Sequence, residues 1–115
     1  MTILTGKHLI VDCINIGNYQ LLEKIETIEP LMTEIVREMN LTVVGELRHQ
    51  FEPYGATILY LLSESHLSIH TYVEERYVAI DLYCCNPKID MDNVLDIIYK
   101  FFDCECIIKK KILDR

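Results

Sequence analysis

The sequence predicts an α+β fold: a two-layer sandwich, with an antiparallel sheet carrying two main helices on one face. Three observations lead there. Six short runs alternate or are continuously apolar, as strands do. Two longer stretches repeat apolar residues at helical spacing. Most of the strands follow one another through short turns, which favours hairpins over crossovers. A chain of 115 residues, half of them hydrophobic, suffices for one cored domain and is too short for two.

The run GKHLIVDC reads as the first strand. In NYQLLEKIETIEPLMTEIVREMN, Leu21, Leu22, Ile25, Ile28, Leu31, Met32, Ile35, Val36 and Met39 recur at helical spacing. Proline is tolerated in a first turn but breaks a helix interior. Pro30 therefore predicts a main helix from Ile28 to Met39 capped by Thr27, with Asn18 to Glu26 as a separate short turn. LTVVGELRHQF and GATILYLL are the next strands, separated by EPYG, where Tyr54 and Gly55 build the turn leading to Thr57. HLSIHTY and YVAIDLYCC follow, joined by VEER. Asp90 caps a second helix with Val94, Leu95, Ile98, Phe101 and Phe102 on one face. CECIIKKKIL is the last strand, on which Cys104 and Cys106 share a face as packing residues.

Strand parity assigns the faces. Val78, Ile80, Leu82 and Cys84 form a uniformly apolar side that belongs under the helices. Tyr77, Ala79, Asp81, Tyr83 and Cys85 form the other side, and Ser68 and His70 lie opposite Leu67 and Ile69. Cys85, Asp81, Ser68 and His70 are thus expected on the face turned away from the helices. Tyr77 and Tyr83 make that face a candidate interface, which a homodimer packed sheet to sheet would cover.

A net charge of −7 argues against a nucleic-acid partner, because phosphate binding needs a basic surface. Lys109-Lys110-Lys111 reads as a solvated strand end. The start MTILTGKHLIVDC lacks the basic and apolar segments of a leader, and no window suits a bilayer span. A cytoplasmic protein without a membrane partner is expected, with its five cysteines as thiols. Their CC and CxC spacings are not paired CxxC, and strand neighbours point to opposite faces, so no metal is expected.

The segment from Leu61 to Cys85, LLSESHLSIHTYVEERYVAIDLYCC, crowds serines, histidines and cysteines together. Such residues suggest nucleophilic chemistry. SES lacks the glycines of a hydrolase elbow, and polar strand residues also form ordinary solvated faces. By residue type alone both readings stay open. Ser63 and Ser68 read as flanking or orienting residues and His66 as a satisfied strand histidine; His8 gains no role, whereas His49 lies near enough to FEPYG to line a pocket.

As a whole string, SESHLSIHTYVEERYVAIDLYCC resembles the processing-site signature of prokaryotic S-adenosylmethionine decarboxylases, SESHxxIHTxPE followed by AxxDxxxC. GKHLIVD and FEPYG extend the resemblance over most of the chain. It implies a proenzyme that cuts itself between Glu64 and Ser65 into a beta chain (1–64) and an alpha chain (65–115). Ser65 then becomes a pyruvoyl cofactor that forms a Schiff base with S-adenosylmethionine, and CO₂ release feeds spermidine synthesis. His70 and Thr57, the latter usually serine, map to the processing helpers, and Cys85 maps to the proton donor. Phe51, Tyr72 and Glu74 map to substrate-binding positions. Tyr72 stands where the family commonly has Trp, and Val73 where it has Pro. The resemblance also implies a homodimer of processed protomers with active sites near the interface. Two alternatives remain at this stage: an arginine or ornithine decarboxylase on the same scaffold, and an unprocessed non-catalytic partner subunit.

Overall fold

The structure, a computed structural model, describes residues 5–115; the first four residues of the start MTILTGKHLIVDC lie outside it. The elements follow in the expected order. They are β1 (Lys7–Ile14), a 3-10 turn (Tyr19–Leu22), α1 (Ile25–Glu38), β2 (Val43–Gln50), β3 (Ala56–Leu62), β4 (Ser65–Tyr72), β5 (Tyr77–Cys84), α2 (Met91–Phe101) and β6 (Ile107–Asp114). The strands form one antiparallel sheet in the order β2-β3-β4-β5-β1-β6. Four consecutive strands make hairpins, and the two helical connections carry the chain over the same face.

The core lies under that face. Leu9, Val11, Ile58, Tyr60, Leu67, Ile69, Val78, Ile80, Leu82 and Cys84 are buried against Ile28, Leu31, Met32 and Ile35 of α1 and Val94, Leu95 and Ile98 of α2. Each large aliphatic so buried contributes about 1.5–3 kcal/mol. A one-residue slip would expose a whole strand's set, so burial locks the register. On the opposite face Leu47, Leu59 and Leu61 are 69%, 39% and 59% exposed.

Helix α1 starts at Ile25 rather than Ile28, so Thr27 is not its cap. The side chain of Gln50, at the end of β2, supplies a distant cap. Its Oε1 accepts from the Ile25 amide at 2.9 Å, and its Nε2 donates to the Glu23 carbonyl at 2.9 Å. Thr27 Oγ instead sits 3.0 Å from the Leu21 carbonyl, which it reaches as a donor. Pro30 consequently stands inside the helix, and the Glu26 carbonyl lacks its usual i+4 donor. At α2 the cap is as expected: Asp90 Oδ1 accepts from the Asn93 amide at 3.1 Å.

The last strand also begins later than expected. Cys104 is exposed in a turn with φ 61°, Cys106 is half-buried, and β6 starts only at Ile107. The two cysteines therefore do not share a strand face. Among the described residues, no helix is long and apolar enough to cross a membrane.

Candidate active site

The turn from β3 into β4 is tied down at three points. The Ser63 amide donates to the Thr42 carbonyl at 2.9 Å, and the Thr42 amide donates to Glu64 Oε1 at 3.0 Å. The carbonyl of Glu64 accepts from the backbone amide of Cys85 at 2.8 Å. Ser65 opens β4 between Leu62 and Cys84, with φ 147°. A non-glycine residue held there costs roughly 1–3 kcal/mol, so the peptide between Glu64 and Ser65 is strained on one side and hydrogen-bonded at its carbonyl.

Cys84 closes β5 with its side chain in the core, where burial pushes its thiol pKa up. Cys85, just beyond the end of β5, is exposed, as the alternation from buried Cys84 leads one to expect.

The outward face carries a second group. Thr57 Oγ lies 3.0 Å from His70 Nδ1 across the β3–β4 pair. Ser68 sits directly opposite Asp81. Asp81 is engaged by His8, whose Nε2 lies 2.7 Å from Oδ1. His8 in turn packs near His66 and Tyr83, with ring centroids 6.1 and 5.7 Å away. His8 drew no role from the sequence, because its contact with Asp81 is diagonal across the β1–β5 register.

A third group gathers at the far end of β4. A cavity of about 260 Å³ is lined by Phe51, Tyr54, Tyr72 and Glu74, among others. Tyr54 Oη donates to Glu74 Oε1 at 2.9 Å, and this bond raises the phenol's pKa. Tyr72 stacks on Tyr77 with centroids 5.2 Å apart and planes at 19°. Tyr77 Oη donates to Asp12 Oδ1 at 2.6 Å. His49 stands edge-on to Phe51 at 4.5 Å, as its position beside the turn suggested.

The three groups are separate within the chain. Ser65 and His70 occupy one strand at a separation of ~16 Å, and Ser65 and Tyr72 are ~23 Å apart, at ~3.3 Å per residue. Their parity also differs: Ser65 shares that of buried Leu67 and Ile69, whereas His70 and Tyr72 lie on the other face. The structure thus joins Glu64, Ser65 and Cys85 at one end, Thr57 with His70 further along, and Phe51, Tyr72 and Glu74 at the other end. Among the described residues, no three histidine, cysteine or carboxylate side chains come together in a way that would hold a metal ion.

Comparison with known proteins yields one family. A family model described as S-adenosylmethionine decarboxylase matches residues 7–114. The chain is 39% identical to an S-adenosylmethionine decarboxylase proenzyme 2 of Bacillus cereus over 97 residues, covering 81% of this chain and 78% of that one. It is 37% identical to the proenzyme of Brevibacillus brevis over 108 residues, covering 94% and 80%. The crystal structure of the adenosylmethionine decarboxylase from Aquifex aeolicus superposes with a TM-score of 0.87 at 29% identity, over 99% of this chain and 92% of that one.

Proposed function

This chain belongs to the S-adenosylmethionine decarboxylase family, an enzyme family; from that premise we propose that it cuts itself between Glu64 and Ser65 and then, as a processed homodimer, decarboxylates S-adenosylmethionine for spermidine synthesis. The observation that carries this reading is the Glu64 carbonyl, bonded to the Cys85 amide at 2.8 Å and followed by Ser65 at φ 147°.

The chemistry follows from that peptide. Ser65 Oγ attacks the Glu64 carbonyl carbon, and the developing oxyanion is met by the Cys85 amide. The C–N bond breaks, the Ser65 nitrogen takes up a proton, and an ester joins Glu64 to Ser65 Oγ. Loss of the Ser65 α-proton expels the Glu64 carboxylate by β-elimination. Water then replaces the nitrogen of the resulting dehydroalanine, ammonia leaves, and a pyruvoyl group caps residues 65–115. Relief of the strained φ favours the first step. His70, held by Thr57, serves as the processing base.

The residues present suit a pyruvoyl group: its source, Ser65, begins a strand directly after the carbonyl to which Cys85, a thiol-bearing residue, donates its backbone amide. That group supplies an electron sink for the loss of CO₂ from an α-amino acid. Cys85 returns a proton to carbon, a task for which a thiol suits neutral pH better than a hydroxyl. Phe51 and Tyr72 stack the adenine and attract the sulfonium, and Glu74 takes the ribose hydroxyls.

The distances favour a homodimer. S-adenosylmethionine is shorter than the ~23 Å between Ser65 and Tyr72 in one protomer. Two sheets packed face to face with opposed ends would set the Ser65 end of one protomer's β4 against the end of the other that carries Thr57, His70 and Tyr72. Such packing also covers the exposed Leu47, Leu59 and Leu61. We place the protein in the cytoplasm, where thiols stay reduced.

Intact mass under denaturing conditions, followed by CO₂ release from S-adenosylmethionine, ornithine and arginine, tests this function. Fragments of 64 and 51 residues (115 − 64) are expected, the second with a blocked N-terminus, with turnover of S-adenosylmethionine. A chain that stays uncut on long incubation overturns self-processing and leaves a non-catalytic subunit. Cleavage with turnover of only ornithine or arginine overturns the substrate.

A further inference from the structure

We propose that Gly6 is a positioning residue for both chemical steps: its lack of a side chain lets the start of β1 lie against the Cys84–Cys85 backbone, which sets the Cys85 amide and thiol beside Glu64 and Ser65. The proposal rests on the self-processing function argued above and adds to it a residue outside the site.

Three contacts carry it. A Cβ on Gly6 would fall 2.5 Å from the Cys84 carbonyl oxygen, 3.0 Å from Cys85 Cα and 3.1 Å from the Tyr83 ring. Two of these are backbone atoms, which cannot swing aside as a side-chain end would. Gly6 does not take a left-handed φ, so alanine there meets a contact penalty and no dihedral one.

Gly6 is also held from behind. Its amide donates to the Arg115 carbonyl at 2.6 Å, and its carbonyl accepts from the Arg115 amide at 2.8 Å. The Arg115 guanidinium covers the Tyr83 ring at 5.1 Å, closing the same corner. With β6 gripping one side, an added methyl pushes toward β5. The displaced residues are Cys84, opposite Ser65, and Cys85, the donor to the Glu64 carbonyl.

The test compares first-order self-cleavage of Gly6→Ala with wild type and with Gly17→Ala. The control also meets a neighbour, the Glu105 side chain, at a site apart from the cleaved peptide. We expect Gly6→Ala to cleave slower by about tenfold or more, as a displaced oxyanion donor should. Its processed fraction should lose kcat with KM unchanged, since in the composite site Phe51, Tyr72 and Glu74 come from the other chain and not from the displaced segment. Gly17→Ala should cleave at the wild-type rate. Wild-type cleavage and kcat in Gly6→Ala overturn the proposal, as does a loss matched by Gly17→Ala at equal thermal stability. If Gly6→Ala does not fold, deletion of Arg115 decides. Releasing Gly6 should slow cleavage without lowering the melting temperature, and an unchanged rate overturns the proposal. An uncut wild type would instead overturn the self-processing function itself.

Discussion

The Cys85 backbone amide donates to the carbonyl oxygen of Glu64 at 2.8 Å, across the end of the sheet where β4 begins. The next residue, Ser65, is held at φ 147°. In the proposed cleavage, a donor already aimed at the Glu64 carbonyl needs no reorganisation when charge develops. Ser65→Ala and Ser65→Gly should both remain single chains of 115 residues by mass. They should differ in stability. Glycine accepts that φ without strain, so after its own entropic cost Ser65→Gly should be more stable than Ser65→Ala by about 1 kcal/mol in urea unfolding. Equal stability would show that the backbone there is unstrained.

The thiols should separate by reactivity. Cys13 is fully buried and its pKa is pushed up to about 12, chiefly by burial; Cys84 is buried and raised for the same reason. Cys85 and Cys104 are exposed. Iodoacetamide at pH 8 should label Cys85 and Cys104 well before Cys84 and Cys13, as read by peptide mass. In Cys104→Ser, labelling Cys85 should abolish CO₂ release while the two chains remain cleaved. Fast labelling of Cys84, or full turnover with Cys85 blocked, would remove Cys85 as the proton donor.

These contrasts show what the sequence could reveal. Faces were legible because strand period two put Leu67, Ile69, Val78, Ile80 and Leu82 on one side and Ser68, His70 and Asp81 on the other, as the burial bears out. The α2 cap was legible because Asp90 reaches only to Asn93. The start of α1 was not, because its cap comes from Gln50, 25 residues away. Asp81 could not be matched to His8 before the β1–β5 register was known. The separation of Ser65 from His70 was there to be read: an odd spacing of five on a strand puts two residues ~16 Å apart on opposite faces. The motif lists them together because they share a segment, whereas the proposed composite site would take them from two chains.

Alkaline stability should carry the mark of Tyr77. Its hydrogen bond to Asp12, together with burial, pushes the phenol up to about 12 from an ordinary 10.0. The fold thus favours the protonated phenol. Its contribution is complete below pH 10 and is lost as pH rises through 12. Tyr60, also raised by burial and by Glu29, acts in the same direction. Tyr77→Phe should lower stability at pH 8 by about 1–2 kcal/mol through the lost bond. It should also flatten, without abolishing, the fall in melting temperature between pH 10 and 12. A parallel fall in variant and wild type would show that Tyr77 does not contribute to it.

Complementation between variants tests the shared site directly. Ser65→Ala keeps His70 but has no nucleophile, and His70→Ala keeps Ser65 but has no processing base. Within one protomer ~16 Å along β4 separates these two positions. If each site takes Ser65 from one chain and His70 from the other, each variant alone should remain uncut. Co-expressed and assembled as mixed dimers, they should restore cleavage, and only in the His70→Ala chain, which pairs its own Ser65 with the intact histidine of its partner. Mass tags on the two chains distinguish the products. About half of randomly paired molecules are mixed, so cleavage should plateau near half of the His70→Ala chains when the two are present in equal amounts. Leu59→Glu, introduced on both chains, places a charge on the face that the dimer would cover and should abolish the rescue together with dimerisation. Cleavage of His70→Ala alone at the wild-type rate would remove His70 from processing. Cleavage confined to chains that carry both Ser65 and His70 would place the whole reaction within one protomer. The distances along β4 could then be met only if the strand rearranged before cutting.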